Sequence, residues 1–235
     1  DESELIALRD KLSDELFDST RLEEQAEDIR RIISQTEARI SDIASKLHQA
    51  RSNVAADFAA AITSSIRDLE MPYAVFEVEL QDCPMSAAGN DTVTFRFSAT
   101  GKNAVEISKC ASGGEMSRIM LALKYMMARY ASMPTMIFDE IDTGVSGSVA
   151  DKMGSMICSM GQYMQVFAIT HLPQVAAKGS AHYLVSKSID PDTSKAVSTI
   201  ERISGKDRLM EVARMLSGSV LTDAAIANAQ SLLDS

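Results

Sequence analysis

Apolar positions recur at steps of three and four residues through the start of the chain, which is the pattern of a coiled coil. Residues 1–70 contain no glycine and no proline, and Met71-Pro72 ends the pattern. The steps alternate between three and four throughout when Glu15, Ser19 and Thr36 occupy polar positions of the same register. The apolar or small positions are Leu5, Leu8, Leu12, Leu22, Ala26, Ile29, Ile33, Ile40, Ile43, Leu47, Ala50 and Val54. We predict one long helix over residues 1–70, the returning strand of an antiparallel coiled coil. Its partner belongs to another chain or to a part of the parent protein outside this sequence.

From Pro72 onward the period shortens to that of strands. Residues 74–80 and 92–97 alternate apolar and polar side chains, and the segment 83–90 between them contains Pro84, Gly89 and Asn90, which predicts a hairpin. Helices then alternate with short apolar strands, which predicts an α/β domain over residues 71–235. The expected helices span residues 112–130, 148–160, 207–216 and 222–233, and the expected strands span 135–138, 165–170, 183–188 and 197–203.

Composition removes several classes of protein. Of the 235 residues, 46% are apolar, too many for a disordered chain, and no apolar run approaches the ~20 residues that a membrane span needs. The acidic start carries no apolar signal segment, so we expect a cytoplasmic protein. The three cysteines are widely spaced and fit neither a disulfide framework nor a zinc site, which indicates a reducing compartment. The net charge of −10 argues against a general nucleic-acid binder.

Two adjacent carboxylates end the predicted strand 135–138. Asp139 and Glu140 follow Thr135-Met136-Ile137-Phe138, which is the Walker B arrangement of P-loop ATPases. In such a site the first carboxylate helps to hold Mg²⁺ and the second polarises the attacking water. A strand that ends in two solvated acids is the alternative interpretation.

Three further segments could contact a nucleotide. Ser112-Gly113-Gly114-Glu115 fits a phosphate site at a helix start, and it equally fits a capping box. His171 follows the strand 165–170, at the edge where α/β sheets bind ligands, although a lone histidine is more often structural. Asp142-Thr143-Gly144 forms a tight turn whose acid could reach across an interface, or an ordinary Asx turn.

The order of these segments is more informative than any one of them. Ser112 precedes Asp139 by 27 residues, and His171 follows Asp139 by 32, so each interval accommodates a helix and a strand. This is the order found in the carboxyl-terminal half of an ABC-type ATPase head. The chain contains no G-x-x-x-x-G-K-[ST] phosphate loop. We therefore expect that the phosphate-loop (Walker A) half lies before the coiled coil in a longer polypeptide.

A coiled coil followed by a signature half-head resembles the SMC-like ATPases. The resemblance rests on Ala111–Arg118, Ile137–Gly147 and Ile169–Ala177, and it continues through Ile203-Ser204-Gly205 to the segment 210–218. Alanine stands at position 111, where most ABC signatures have leucine, and this favours the DNA-repair branch of the family. The fold implied is α/β, the carboxyl-terminal lobe of an ABC/SMC-type head preceded by a long coiled-coil helix.

The resemblance also implies a division of labour. Asp139 would be the Mg²⁺ ligand, Glu140 the general base and His171 the switch histidine near the γ-phosphate. Ser112, Gly113, Gly114 and Glu115 would bind ATP held by the opposite head of a homodimer, with Asp142 in the communicating turn. The implied role is repair of DNA double-strand breaks and recombination, on double-stranded DNA and its ends, in the bacterial cytosol near the nucleoid.

Two other functions remain open at this point. The first is another SMC-like ATPase that organises chromosomes. The second is a non-catalytic dimerisation or scaffold module built on a degenerate half-head. In either of the ATPase interpretations the present chain, without a phosphate loop, is expected to be inactive alone.

Overall fold

The computed structural model describes residues 1–110, 113–139, 141–142, 144–145, 147–189, 196–218 and 220–235. Helices and strands alternate after one very long helix, as predicted. The helices are α1 (Glu2–Asp68), α2 (Gly113–Tyr130), α3 (Ser148–Met160), α4 (Pro173–Ala177), α5 (Gly205–Ser217) and α6 (Asp223–Leu233). The strands are β1 (Val75–Ser86), β2 (Gly89–Ser98), β3 (Val105–Glu106), β4 (Thr135–Asp139), β5 (Gln165–Ile169), β6 (His182–Ile189) and β7 (Ala196–Ile203).

The chain divides into two compact units, each of which has most of its contacts within itself. The first comprises Asp1–Ala56 and Glu79–Thr94, and the second comprises Asp57–Val78 and Phe95–Ser235. The sequence analysis placed a domain boundary at residue 70, where the first helix was expected to end. That boundary stays a prediction.

The first unit consists of most of α1 and the outer part of the β1–β2 hairpin. The helical prediction for the start of the chain is confirmed, since α1 runs without a break for 67 residues. Most of the predicted seam is exposed, from Leu5 and Leu8 to Val54. The buried apolar residue of α1 in this unit is Ala44, which was not among the predicted seam positions. Polar contacts attach the hairpin to the helix: Arg51 donates hydrogen bonds to the carboxylate of Asp91 (3.2 Å) and to the carbonyl of Ala88 (2.9 Å).

A glycine permits this close approach. Gly89 has a φ of +102°, and a Cβ atom there would lie 3.0 Å from Leu47 Cδ2 and 3.3 Å from an Arg51 nitrogen. We expect Gly89→Ala to lower the free energy of unfolding by about 1–3 kcal/mol, because both the backbone and the packing oppose a side chain. Urea denaturation of the chain measures this. Gly113→Ala is the matched control, since an added Cβ meets nothing there within 4 Å, and equal losses from both variants would contradict the expectation.

The second unit has three buried apolar clusters. The end of α1 packs with β1, β2 and one side of α2, through Ile62, Ile66, Phe76, Phe97 and Ile119. The other side of α2 packs with β4 and α3; this cluster includes Leu121, Phe138, Met153, Ile157 and Met160. Helices α5 and α6 pack on each other through Val212, Ala213 and Ala229. The first two clusters therefore join elements that are distant in sequence, whereas the third joins two consecutive helices.

The strands form three small sheets. β1, β2 and β3 lie in that order, β4 pairs with β5 in parallel, and β6 pairs with β7 as an antiparallel hairpin. In the β4–β5 sheet Thr135 pairs with Gln165 and Asp139 pairs with Ile169, so the two carboxyl ends lie side by side. Asp139 and the residues that follow Ile169 consequently share one edge.

One local prediction needed correction, and two short elements were not predicted. The loop expected at 83–90 is wrong in extent, because β1 continues to Ser86 and β2 begins at Gly89. Pro84 lies within β1, which is an edge strand of its sheet, the kind of strand in which proline is tolerated. The short strand β3 and the single-turn helix α4 were not predicted at all.

Candidate functional site

The strand β4 carries the predicted metal ligand to the sheet edge. Its side chains alternate, with Met136 and Phe138 buried on one face and Asp139 exposed at the end of the strand. Phe138 is fully buried, and the ammonium group of Lys124 lies 4.9 Å from its ring centroid. This packing fixes the end of the strand. The predicted base, Glu140, lies outside the described residues.

A buried carboxylate links the turn after β4 to the end of β5. Asp142 is only 1% exposed, and its Oδ2 accepts a hydrogen bond from the hydroxyl of Thr170. The Nδ1 atom of His171 lies 3.6 Å from the same oxygen, while the His171 side chain is 73% exposed. The Thr170 hydroxyl also accepts a hydrogen bond from the backbone N–H of Leu172, at 3.0 Å. The structure thus brings Asp142 and His171 together through Thr170.

Thr170 should be necessary for the stability of this turn. Thr170→Val removes the hydroxyl and leaves the buried Asp142 carboxylate without its hydrogen-bond donor, so we expect a loss of about 1–3 kcal/mol in the free energy of unfolding. Thr170→Ser keeps the hydroxyl and serves as the control. Chemical denaturation of both variants measures the effect. A valine variant as stable as the wild type would show that the hydroxyl contributes nothing.

The start of α2 approaches the same turn. Gly113 and Gly114 form its first turn, and a Cβ atom on Gly114 would lie 3.8 Å from the carbonyl oxygen of Gly144. Glu115 follows in the first turn of the helix. The predicted capping role of Ser112, like its predicted role in phosphate binding, lies outside the described residues.

Arg118 connects the start of α2 to the end of α1. Its Nε donates a hydrogen bond to the carbonyl oxygen of Gly114 at 3.2 Å, and its Nη1 donates one to the carbonyl oxygen of Leu69 at 3.3 Å. The sequence analysis assigned Arg118 no role beyond its place in the signature segment, and the motif's sequence could not show a contact with a residue 49 positions earlier.

Glu70, which follows Leu69 just after α1, contacts the helix α3. The Glu70 carboxylate lies 3.4 Å from the ammonium group of Lys152 on α3. A hydrogen bond from Ser148, the first residue of α3, is the largest cause that lowers the pKa of Glu70, and the charge of Lys152 acts in the same direction. The end of α1 therefore contacts both helices that begin at the candidate site, α2 through Arg118 and α3 through Glu70.

The residues present fit part of a Mg-ATP site. Asp139 offers a carboxylate, the ligand type that Mg²⁺ prefers. The 18-residue helix α2 begins with two glycines, of which Gly113 leaves open space where a Cβ would stand, so a phosphate could approach its backbone. Asp142 Oδ1 is buried and has no hydrogen-bond partner in the described part of the chain. These groups would form one side of such a site, and the chain contains no G-x-x-x-x-G-K-[ST] segment that could form the phosphate-loop side.

Comparison with solved structures defines the class of the fold. The crystal structure of an SmcHead bound to the C-winged helix domain of ScpA matches with a TM-score of 0.54 and 19% identity, covering 73% of this chain and 49% of that one. An Smc head domain with a coiled coil and joint from Pyrococcus yayanosii matches with a TM-score of 0.58 and 18% identity, covering 80% of this chain and 35% of that one. The fold is that of the SMC-type heads, and the predicted fold class is confirmed.

Curated relatives define the family. The DNA repair protein RecN of Rickettsia conorii is 39% identical over 193 residues, which covers 82% of this chain and 35% of the relative. RecN of Vibrio cholerae is 37% identical over 81% of this chain and 34% of the relative, and RecN of Xylella fastidiosa (strain 9a5c) is 34% identical over 98% and 42%. The chain belongs to the RecN family, as the resemblance to the DNA-repair branch of SMC-like proteins predicted.

Three further findings accompany this identification. No family model matches the chain. The chain spans between about a third and two fifths of the length of these relatives. Among the described residues, no helix combines the length and apolar character that crossing a membrane requires.

Proposed function

We propose that this chain is the signature and Walker B half of an SMC-like ATPase head that acts in DNA double-strand break repair and recombination. The amino-terminal part of the same protein supplies the phosphate loop and completes the head. ATP held between two such heads joins them in a homodimer, and hydrolysis of the ATP separates them.

An uncovered sheet face carries the proposal of a missing half. One face of the β4–β5 sheet packs on the core through Met136 and Phe138. The opposite face presents three apolar side chains to solvent, namely Ile137 (61% exposed), Phe167 (44%) and Ile169 (56%). Parallel sheets in α/β proteins are covered on both faces. A protein segment from outside this chain should therefore cover this one, and the relatives have more than half of their length outside the matched region.

The edges of the sheets support the same conclusion. β4–β5 and β6–β7 are separate two-stranded sheets in the described part of the chain. A sheet of two strands is marginal in water and leaves backbone N–H and C=O groups unpaired at its edges. Strands from the amino-terminal half would pair with these edges. The long row of exposed apolar side chains on α1 is accounted for in the same way, by the outgoing strand of the coiled coil.

Each candidate residue has a role in the completed head. Asp139 would hold Mg²⁺, which neutralises charge that develops on the phosphates during transfer. Glu140 would accept a proton from the attacking water. The segment that contacts the ATP bound by the opposite head would be Ser112, Gly113, Gly114 and Glu115. Its glycines let the backbone approach the phosphates, and the helix start favours an anion. Asp142 and Thr170 would orient His171 toward the γ-phosphate.

The partners follow from this role. They are the amino-terminal half of the same protein, a second copy of the whole protein and double-stranded DNA, including its ends. The protein would work in the bacterial cytosol, in association with the nucleoid. The contacts at the end of α1, from Arg118 and Glu70, support a coupling between the heads and the coiled coil, since they join α1 to the helices that begin at the site.

Sedimentation of mixtures tests the proposal that the head is divided. This chain and a polypeptide with the parent protein's preceding residues are sedimented separately and together. The proposal predicts one heterodimeric species in the mixture, with Mg-ATP then favouring its association into a larger particle. Independent sedimentation of two polypeptides that are each folded by circular dichroism would contradict it.

A further inference from the structure

Three side chains in the first unit lie close together, and none of them belongs to the proposed ATP site. His48 lies on α1, Asp82 on β1 and Asp91 on β2. Each offers one ligand atom, and the three atoms lie within 4.8 Å of one another. We propose that His48, Asp82 and Asp91 bind a divalent transition-metal ion that links the β1–β2 hairpin to α1.

The distances are suitable for a metal site. The Nδ1 atom of His48 and the Oδ1 atom of Asp91 are 2.6 Å apart and share a proton when no metal is bound. Around a tetrahedral ion with ligand bonds of about 2.1 Å, neighbouring ligand atoms are separated by about 3.4 Å. The pair needs to open by less than 1 Å to admit the ion. The imidazole is 42% exposed, so solvent can supply the remaining ligands.

Arg51 holds the central ligand in place. The Asp91 side chain is only 1% exposed, and its Oδ2 accepts a hydrogen bond from Arg51 at 3.2 Å. Arg51 is itself fixed by its hydrogen bond to the Ala88 carbonyl. A partner that occupies one carboxylate oxygen leaves the other oxygen, Oδ1, to bind the metal, which is the usual arrangement around metal-binding carboxylates.

The position of the Asp82 carboxylate favours a bound cation over a simple ion pair between His48 and Asp91. The Asp91 carboxylate already has His48 and Arg51 as partners, whereas the Asp82 carboxylate forms no hydrogen bond or ion pair with any described residue. A second carboxylate placed beside the first raises the local negative charge. A dication would be shared by both carboxylates and would remove this repulsion.

The ligand set indicates which ions fit. One imidazole nitrogen and two carboxylate oxygens suit Zn²⁺, Co²⁺ or Mn²⁺, whereas Mg²⁺ prefers an all-oxygen shell. This separates the site from the proposed Mg²⁺ ligand Asp139, and the inference does not depend on the proposed function.

Metal analysis of the full-length protein tests the site. Wild type, Asp82→Asn, His48→Gln and the control Glu77→Gln, which neutralises an exposed acid on the same strand, are stripped with a chelator. Each is then dialysed against Zn²⁺, and the bound metal is counted. We expect Asp82→Asn and His48→Gln each to bind one equivalent less than the wild type, and Glu77→Gln to bind the same amount as the wild type.

The Asp82 variant keeps the experiment decisive. The Asp82 side chain is exposed and has no hydrogen-bond or ion-pair partner among the described residues. The substitution Asp82→Asn should therefore leave the fold intact, and circular dichroism verifies this. Visible absorption of the Co²⁺-loaded protein should lose its ligand-field bands in the same two variants. Equal Zn²⁺ content in the wild type and both variants would overturn the proposal and leave His48 and Asp91 as a hydrogen-bonded pair.

Discussion

Replacement of Glu140 by Gln in the full-length protein should lower ATP turnover by about 10²- to 10⁴-fold, the usual contribution of a general base. The amide has nearly the same shape as the carboxylate but cannot accept the proton of the attacking water. ATP binding should persist, because Asp139 and the signature residues are unchanged. The variant should therefore accumulate as an ATP-bound dimer, visible by sedimentation. Steady-state phosphate release measures the turnover.

A matched acid elsewhere controls for the loss of charge. Glu201 is exposed on β7, away from the predicted site residues in sequence, and Glu201→Gln should turn over ATP at the wild-type rate. Wild-type turnover by the Glu140 variant would show that another group activates the water. Such a result would remove Glu140 from the proposed mechanism without affecting the assignment to the RecN family.

Phe167→Asp should prevent this chain from associating with the amino-terminal half. Phe167 pairs with Ile137 across the β4–β5 sheet and lies on its uncovered face. A carboxylate there would lose its hydration when the second half covers the sheet, so we expect the dissociation constant to rise at least about 100-fold, or about 2.7 kcal/mol. The chain's own stability should change little, because Phe167 is already partly exposed. Sedimentation or titration calorimetry measures the binding.

The control for this variant is Tyr163→Asp. Tyr163 is similarly exposed but lies in the turn before β5, outside the sheet. It should leave the association unchanged. If Phe167→Asp binds the amino-terminal half as tightly as the wild type does, the uncovered face is not where the two halves meet.

The sequence alone predicted the regular elements well where one pattern dominated. The helix over residues 148–160 was predicted with the bounds of α3, and α1 ends close to Met71-Pro72. Thr222 is the N-cap of α6 and accepts a hydrogen bond from the N–H of Ala225. In each case a local signal, whether apolar periodicity, a breaker or a cap, coincides with what packing requires.

Features set by tertiary position could not be read in the same way. Pro84 indicated a loop, but an edge strand tolerates it. Thr170 contacts Asp142, 28 residues away, and Arg118 contacts Leu69, 49 residues away, so neither pairing leaves a local pattern. The cluster of His48, Asp82 and Asp91 was missed for the same reason, because it forms only when the hairpin lies against the helix. The roles predicted for Asp139, Glu140 and His171 remain predictions.

The most direct test is Mg-ATP turnover by this chain, by the amino-terminal half and by their mixture, with and without linear duplex DNA. The proposal predicts turnover only in the mixture and its loss when the chain carries Glu140→Gln. Turnover by this chain alone would reveal a phosphate site outside the proposed one. Absence of turnover in a mixture shown to associate would contradict a divided ATPase head and favour a scaffold.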